Sequence, residues 1–168
     1  MSGLHKEVNF EGEICDHLTA NGWLYAANDA AGYDRARALF PADVLAWVQD
    51  TQPKAWEALE KNHGAQAADV LLGRLRDSIN QRGTLDVLRH GIELLGLRQP
   101  LMLAQFKPAL AMNPDILVKY AANRLRVVRQ LRYSLHNENA LDLGLFLNGI
   151  PVATAELKTN FTQSVEDA

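Results

Sequence analysis

Apolar side chains recur at helical spacing through the first two thirds of the chain. Phe10, Ile14 and Leu18 form one stripe of a helix predicted over residues 8–20, and the Asn-Gly pair that follows provides its stop. Comparable patterns predict helices over residues 41–49, 51–59, 67–79, 84–95 and 113–123. Two short apolar runs, residues 23–26 and 101–106, are predicted as strands. This part of the chain is therefore expected to be mostly helical.

The hydrophobic period changes to that of β-strands from residue 125 onward. Strands are predicted over residues 125–134, 141–147 and 152–158, and the short connection between the last two predicts a hairpin. Gly149 suits a loop that needs positive φ, and a last helix is expected to start near Thr162. These elements predict an α/β fold, in which a small mixed sheet is flanked by helices and preceded by an additional helical N-terminal region.

Side chains alternate between the two faces of a strand, so the predicted hairpin separates apolar from polar positions. One face of its first strand carries only leucine: Leu141, Leu143, Leu145 and Leu147. The other face carries three different residues: Asp142, Gly144 and Phe146. The leucine face is expected to pack against the core, which would leave the face of Asp142 for chemistry.

Asp142 lies across from Glu156 if the connecting loop has three residues and pairs Leu147 with Pro151. Glu156 and Lys158 share a face of the second strand, so two carboxylates and an ammonium group would meet on one surface. Two carboxylates at that spacing can hold Mg²⁺, which prefers oxygen ligands and keeps waters that a phosphate can replace. A metal ion with a neighbouring lysine favours the attack of water on a phosphodiester. The alternative is a surface Glu-Lys pair with an unrelated aspartate.

The composition describes a single domain. A chain of 168 residues with 48% apolar composition can bury roughly two thirds of its unfolded surface. Its single cysteine, Cys15, excludes an intrachain disulfide and is expected to be a buried small hydrophobe. The sequence has no apolar run long enough to span a membrane and no export signal, so a cytoplasmic location without membrane contact is predicted.

Charge argues against nucleic-acid binding over the whole surface, because the net charge is −3 and the pI is near 5.9. One stretch departs from this average, since residues 116–134 contain basic side chains and no acidic residue. Four of its arginines are candidates for contacts with the DNA backbone: Arg124, Arg126, Arg129 and Arg132. A solvated face is the alternative explanation.

The hairpin sequence NALDLGLFLNGIPVATAELK, residues 139–158, resembles the nuclease motif of type I restriction enzyme R subunits. These subunits form a branch of the PD-(D/E)xK superfamily, so the resemblance implies a restriction-endonuclease-like core. Further segments resemble the same family, and the likeness covers nearly the whole chain: FEGEICDHLTANGW, GYDRARALFPADVLAWVQDTQPKAWEAL, QFKPALAMNP and YAANRLRVVRQLRYS. The resemblance implies that Asp142 and Glu156 bind Mg²⁺, that Lys158 is the catalytic lysine, and that the carbonyl of Leu157 is an additional ligand.

Glu11 stands where many superfamily members carry an acid on the first helix, and it is a further candidate for the metal site. Glu7 and Glu13 compete for that role, and a solvent-exposed helix acid is the alternative. The sequence departs from the family in two places. Gly144 replaces a larger strand residue, and the chain ends at Ala168, before the Q-x-x-x-Y element that helps the family engage DNA.

The resemblance also implies a place in a larger enzyme. Residues 1–168 are expected to form one nuclease domain of a longer R subunit, truncated at its C terminus. A downstream ATP-driven translocase would pull double-stranded DNA until it stalls, with recognition in an S subunit and modification in M subunits. The chain has no phosphate-binding P-loop sequence, so ATP is expected to bind only elsewhere in the full-length subunit. Rival interpretations are a non-catalytic docking module with a vestigial site, and a stand-alone nuclease with its own specificity.

Overall fold

The computed structural model describes residues 3–110 and 112–157, with side chains from residue 8 onward. The helices are α1 (Gly3–Ala20), α2 (Pro41–Thr51), α3 (Pro53–His63), α4 (Ala67–Arg82), α5 (Thr84–His90) and α6 (Pro114–Ala121). Short 3₁₀ helices lie at Asp29–Gly32 and Gly64–Gln66. The strands are β1 (Leu125–Arg132), β2 (Ala140–Leu147) and β3 (Ile150–Ala155). The predicted α/β fold is confirmed, while the helix expected from Thr162 lies outside the described residues.

Proline, asparagine and glycine set several helix ends. Helices α2 and α3 each begin at a proline, whose missing N–H would have no partner in a first turn. Asn113 caps α6 with its side-chain oxygen, which accepts a 2.9 Å hydrogen bond from the backbone N–H two residues on. Helix α5 is shorter than predicted. It ends at His90 because Gly91 adopts a φ of 68°, after which Ile92 forms a β-bridge with Leu101.

The largest cluster of buried side chains lies among helices α2 to α5. Its fully buried members include Val44, Val48, Leu59, Leu71 and Leu75. Trp47 is buried with them, and its indole N–H donates to the Met102 carbonyl at 2.9 Å, so this aromatic residue belongs to the core. Within the part of the chain that the structure describes, no helix combines the length and apolar character needed to cross a lipid bilayer.

The three strands pair antiparallel in the order β1, β2, β3. Parallel pairing among the described residues is limited to a bridge between Leu24 and Arg126, which is all that forms of the strand predicted over residues 23–26. The run at residues 101–106 is likewise reduced to the bridge between Ile92 and Leu101. These two runs form no further ladders, so the parallel pairing that makes the sheet mixed rests on the one bridge between Leu24 and Arg126.

Both faces of the sheet are covered. One side packs with α1 in a cluster that includes Cys15, Val127 and Leu143. The other side forms a cluster of Phe40, Val128, Leu131 and Phe146. Leu141 packs against this second cluster and not with Leu143, so the prediction of a face carrying only leucines is wrong. The prediction of a buried Cys15 is confirmed, and burial raises the pKa of its thiol.

The hairpin turn has two residues where three were predicted. Asn148 and Gly149 both adopt positive φ, 49° and 80°, and Leu147 pairs with Ile150. A β-bulge at residue 152 then shifts the register, because Phe146 pairs with Pro151 but Leu145 pairs with Ala153. The extra residue compensates for the shorter turn, and the ladder beyond the bulge has the register that was predicted for its far end.

The turn is buried against the helical region and fixes the hairpin there. The Asn148 side chain donates to the Leu103 carbonyl and to Asn123 Oδ1, both at 2.9 Å. The Gly149 carbonyl accepts a 2.9 Å hydrogen bond from the Phe40 N–H. A side chain at Gly149 would have its Cβ 2.4 Å from the Phe40 carbonyl oxygen. The opposite, open end of the hairpin therefore carries Asp142 and Glu156.

Candidate active site

Asp142, near the start of β2, is hydrogen-bonded to the segment that follows β3. Its Oδ2 accepts a 2.6 Å hydrogen bond from the Leu157 N–H. Leu157 directly follows Glu156, and the last recorded strand pair, Leu143 with Ala155, places Asp142 and Glu156 next to each other in the ladder. Within the described residues, Asp142 Oδ1 contacts Gln130 Nε2 at 3.4 Å, and a carboxylate oxygen can accept from a further partner. The two acids predicted to act together thus occupy neighbouring positions at the open end of the hairpin.

Glu11 reaches the same place from α1. It is 3% exposed, so the alternative of a solvent-exposed helix acid is wrong. Its Oε2 accepts hydrogen bonds from the Arg129 guanidinium, with the Nη2 atom at 2.9 Å, and its Oε1 accepts one from Gln130 Nε2 at 3.0 Å. Glu13 is exposed, and the Glu7 side chain lies outside the described residues. Of the three helix acids, the structure therefore connects Glu11 to Asp142 through one amide group.

A break in β1 makes this connection possible. Gln130 has a φ of 49° inside the strand, a conformation that costs a non-glycine residue about 1–3 kcal/mol and often occurs at functional sites. Arg129 and Gln130 consequently both reach Glu11, whereas Val128 and Leu131 share the cluster on the opposite side. Gln130 was not predicted as a site residue, because neither its residue type nor the strand pattern around it indicates a left-handed backbone.

Arg129 supplies the positive charge beside Glu11. Burial acts to lower the pKa of its guanidinium, but hydrogen bonds to Tyr25 and Glu11 raise it above the ordinary value. The arginine therefore stays charged and balances the buried glutamate.

The donor set fits Mg²⁺ in its chemistry, because it consists of carboxylate oxygens and the Leu157 carbonyl. Among the described side chains, no three histidine, cysteine, aspartate or glutamate residues are grouped closely enough to hold a metal ion by themselves. A Mg²⁺ site does not require such a cage, since the ion usually keeps several waters and takes oxygens from a phosphate. Lys158, the predicted catalytic lysine, lies outside the described residues.

Arg126 is paired inside the protein. It donates two hydrogen bonds to Asp43, at 2.6 and 3.1 Å, and one to Asp29 at 2.6 Å. Its guanidinium also lies 5.4 Å from the centre of the Phe40 ring. The hydrogen bonds with Asp43 are the largest effect on its pKa, which is raised. These contacts assign Arg126 to the stability of the fold.

The other three arginines of residues 116–134 differ in exposure and in their ion pairs, and therefore in how easily they could contact DNA. Arg129 is paired with Glu11, and Arg124 lies 3.9 and 3.7 Å from the carboxylates of Asp43 and Asp50. Arg132 has 60% of its side chain exposed and pairs with Glu138, which is itself exposed. The stretch lacks acids in its sequence, but the fold brings acids to it from other segments. Arg132, followed by Arg124, remains the best placed for contact with DNA.

Comparison with known protein families identifies a match for most of the chain. Residues 13–168 match the family model described as the type I restriction enzyme R protein N terminus. No curated protein and no solved structure matches the chain. The matched range contains the whole sheet with Gln130, Asp142 and Glu156, and it begins two residues after Glu11.

Proposed function

Since this chain belongs to the family of type I restriction enzyme R protein N termini, we propose that it is a Mg²⁺-dependent endonuclease domain that cuts double-stranded DNA. The observation that carries the proposal is the hydrogen bond from the Leu157 N–H to Asp142. It ties the aspartate of β2 to the Glu156-Leu157-Lys158 segment after β3, and Glu11 approaches the same point from α1. Contacts of Asp142 with Leu157 and with Gln130, which also contacts Glu11, support a site built from these three segments.

Each residue of the site has a distinct role in this proposal. Asp142 and Glu156 hold Mg²⁺, with the Leu157 carbonyl as an additional ligand and Glu11 as a further acid close by. When bound, the ion supplies positive charge against the scissile phosphate. Lys158 orients the attacking water and stabilises the negative charge that develops on the phosphate. Arg129 holds Glu11 in place beside the site through the contact of its guanidinium with Oε2.

The domain acts in this proposal as one part of a larger cytoplasmic enzyme. An ATP-driven translocase in the same subunit delivers the DNA, while S and M subunits recognise and modify it. The net charge of −3 supports this arrangement, because a domain with more acidic than basic residues gains little affinity for a duplex from charge over its whole surface. A tethered motor raises the local concentration of DNA without adding a contact at the site.

Substituting the acid and the lysine of the segment after β3 tests the proposal. Glu156→Gln and Lys158→Ala, each in the complete R subunit of the assembled enzyme, are expected to remove most plasmid cutting and to leave ATP hydrolysis unchanged. Glu13→Gln, an exposed glutamate on α1, is the matched control and should cut normally. Normal cutting by both site variants would contradict a nuclease role for the hairpin.

A docking module is the second candidate function, and exposed apolar side chains near α6 favour it. Phe106, Leu110, Met112 and Val118 are all exposed in the described structure. Such a surface is typical of protein-protein contacts, here with the translocase or the M subunits. The same substitutions separate the two functions, because a pure docking module would assemble and cut equally well with Glu156→Gln.

Arg132 is expected to contact the DNA backbone. Arg132→Gln should weaken DNA binding regardless of sequence and reduce the slope of log K against log salt by about one unit, the value for one lost phosphate contact. Fluorescence anisotropy with a labelled duplex at several salt concentrations measures this slope. Arg76→Gln is the matched control, since Arg76 is also exposed and paired with an acid but lies on α4. An unchanged slope in the Arg132 variant would identify a solvated ion pair.

A further inference from the structure

Apart from Gln130, the described residues hold Glu11 and Asp142 each through one carboxylate oxygen. Glu11 Oε2 is held by the Arg129 guanidinium, and Asp142 Oδ2 is held by the Leu157 N–H. Neither anchor involves Gln130. Both acids would consequently keep their places if the side chain of Gln130 were removed.

The second oxygen of each acid faces the same atom. Gln130 Nε2 lies 3.0 Å from Glu11 Oε1 and 3.4 Å from Asp142 Oδ1. An amide nitrogen carries two hydrogens, and it can donate one to each oxygen. It therefore occupies a point between two negatively charged oxygens, where it offsets the repulsion between them.

The strained backbone conformation of Gln130 places its amide between the two carboxylates. Regular alternation would direct residues 129 and 130 to opposite faces of the sheet, but the φ of 49° brings both side chains to Glu11. A strained backbone persists only where surrounding contacts favour it, and the two carboxylates are the contacts made by this side chain.

We propose that Gln130 is a positioning residue whose amide takes the place of the cation in the metal-free site, and that a divalent cation binds by displacing it. The inference rests on the proposed function for the identity of the cation. A group that stabilises only the metal-free form lowers the affinity for the metal. Gln130 thereby sets the Mg²⁺ concentration at which the site fills.

Two substitutions of similar length should change the affinity in opposite directions. Gln130→Met removes both hydrogen-bond donors, and Mg²⁺ should bind about tenfold more tightly, the order set by the net strength of a hydrogen bond to a charged group. Gln130→Lys places an ammonium group between the acids and should weaken Mg²⁺ binding by at least about tenfold. A residue with a purely structural role in β1 would not give opposite shifts.

The measurement is a titration of the purified chain with Mg²⁺, followed by calorimetry and by NMR of the Gln130 side-chain amide. In the wild type, the resonances of the two amide hydrogens should shift when Mg²⁺ is added, because the amide would leave the two carboxylates that it contacts. Gln81→Met, at an exposed position on α4, is the control and should bind as the wild type does. Gln130→Gly should also bind Mg²⁺ more tightly than the wild type. Because glycine adopts the positive φ without strain, this variant tests the inference even if the methionine variant misfolds.

The outcomes separate this inference from the nuclease proposal. Equal or weaker Mg²⁺ binding by Gln130→Met and Gln130→Gly, or an amide that does not respond to Mg²⁺, would overturn the inference while leaving the nuclease intact. If Mg²⁺ caused no response anywhere in the wild-type hairpin, and Glu156→Gln also cut DNA normally, both proposals would be wrong. Tighter binding by the methionine variant together with weaker binding by the lysine variant would support the displacement of Gln130.

Discussion

Replacing Asp142 with asparagine is expected to lower DNA cutting by the assembled enzyme about a thousandfold or more, since a catalytic metal supplies several kcal/mol of transition-state stabilisation. The substitution removes a charged ligand from the proposed site. It also creates a conflict with the neighbouring donors. Both oxygens of Asp142 face N–H groups, of Leu157 and of Gln130, whereas asparagine has one oxygen and an amide nitrogen. In either orientation, the amide nitrogen of the new asparagine would face the N–H of Leu157 or the amide of Gln130, and two hydrogen-bond donors would then oppose each other.

The assay is conversion of supercoiled plasmid to linear DNA, run in parallel with ATP hydrolysis. ATP hydrolysis should continue, because it takes place in other domains of the proposed enzyme. Asp16→Asn, at an exposed position on α1, is the matched control and should cut normally. Near-UV circular dichroism of the variant chain checks that the sheet remains packed. Cutting within a few-fold of the wild type would remove Asp142 from the site.

The position of Asp142 opposite Glu156 was predictable, although part of the reasoning behind it was wrong. The predicted loop of three residues is a turn of two, because Asn148 tolerates positive φ as Gly149 does. The bulge at Val152 adds back the missing residue, so the ladder beyond it has the predicted register. Counting residues along the strands thus predicted the register at the far end of the hairpin, while the turn and the bulge depend on contacts with the helical region.

Alternation failed where the backbone leaves the β conformation. The pattern places Leu141 and Leu143 on one face, but they pack in different clusters because the sheet is irregular beside Gln130. The burial of Glu11 was also beyond the sequence, since its partners Arg129 and Gln130 follow more than a hundred residues later. Local patterns predict faces and elements, whereas partners distant in the chain require the fold.

The charge of residues 116–134 likewise could not be interpreted from the local sequence alone. Counting residues between 116 and 134 gives an excess of positive charge, yet Arg126 and Arg129 are paired with acids from the N-terminal half. Asp43 is separated from Arg126 by 83 residues. A local excess of arginine therefore indicates a DNA surface only after the ion pairs made by the fold have been taken into account.

Asp43→Ala is expected to destabilise the domain by about 3–5 kcal/mol, the cost of removing one partner from a buried ion pair. Asp43 is 3% exposed and accepts two hydrogen bonds from Arg126, whose side chain is 17% exposed. Without Asp43, the guanidinium would keep only Asp29 and the face of Phe40 as partners. Asp43 also lies in the first turn of α2, where a negative charge is favourable.

Urea unfolding of the purified chain, followed by circular dichroism, measures this difference. Asp69→Ala is the matched control, because Asp69 also pairs with an arginine, Arg37, but at an exposed position where such a pair contributes about 1 kcal/mol or less. The double substitution Asp43→Ala with Arg126→Met should recover part of the loss, since it leaves no unpaired charge in the interior. If Asp43→Ala cost no more than Asp69→Ala, Arg126 would not depend on Asp43, and it would return to the set of arginines available for DNA.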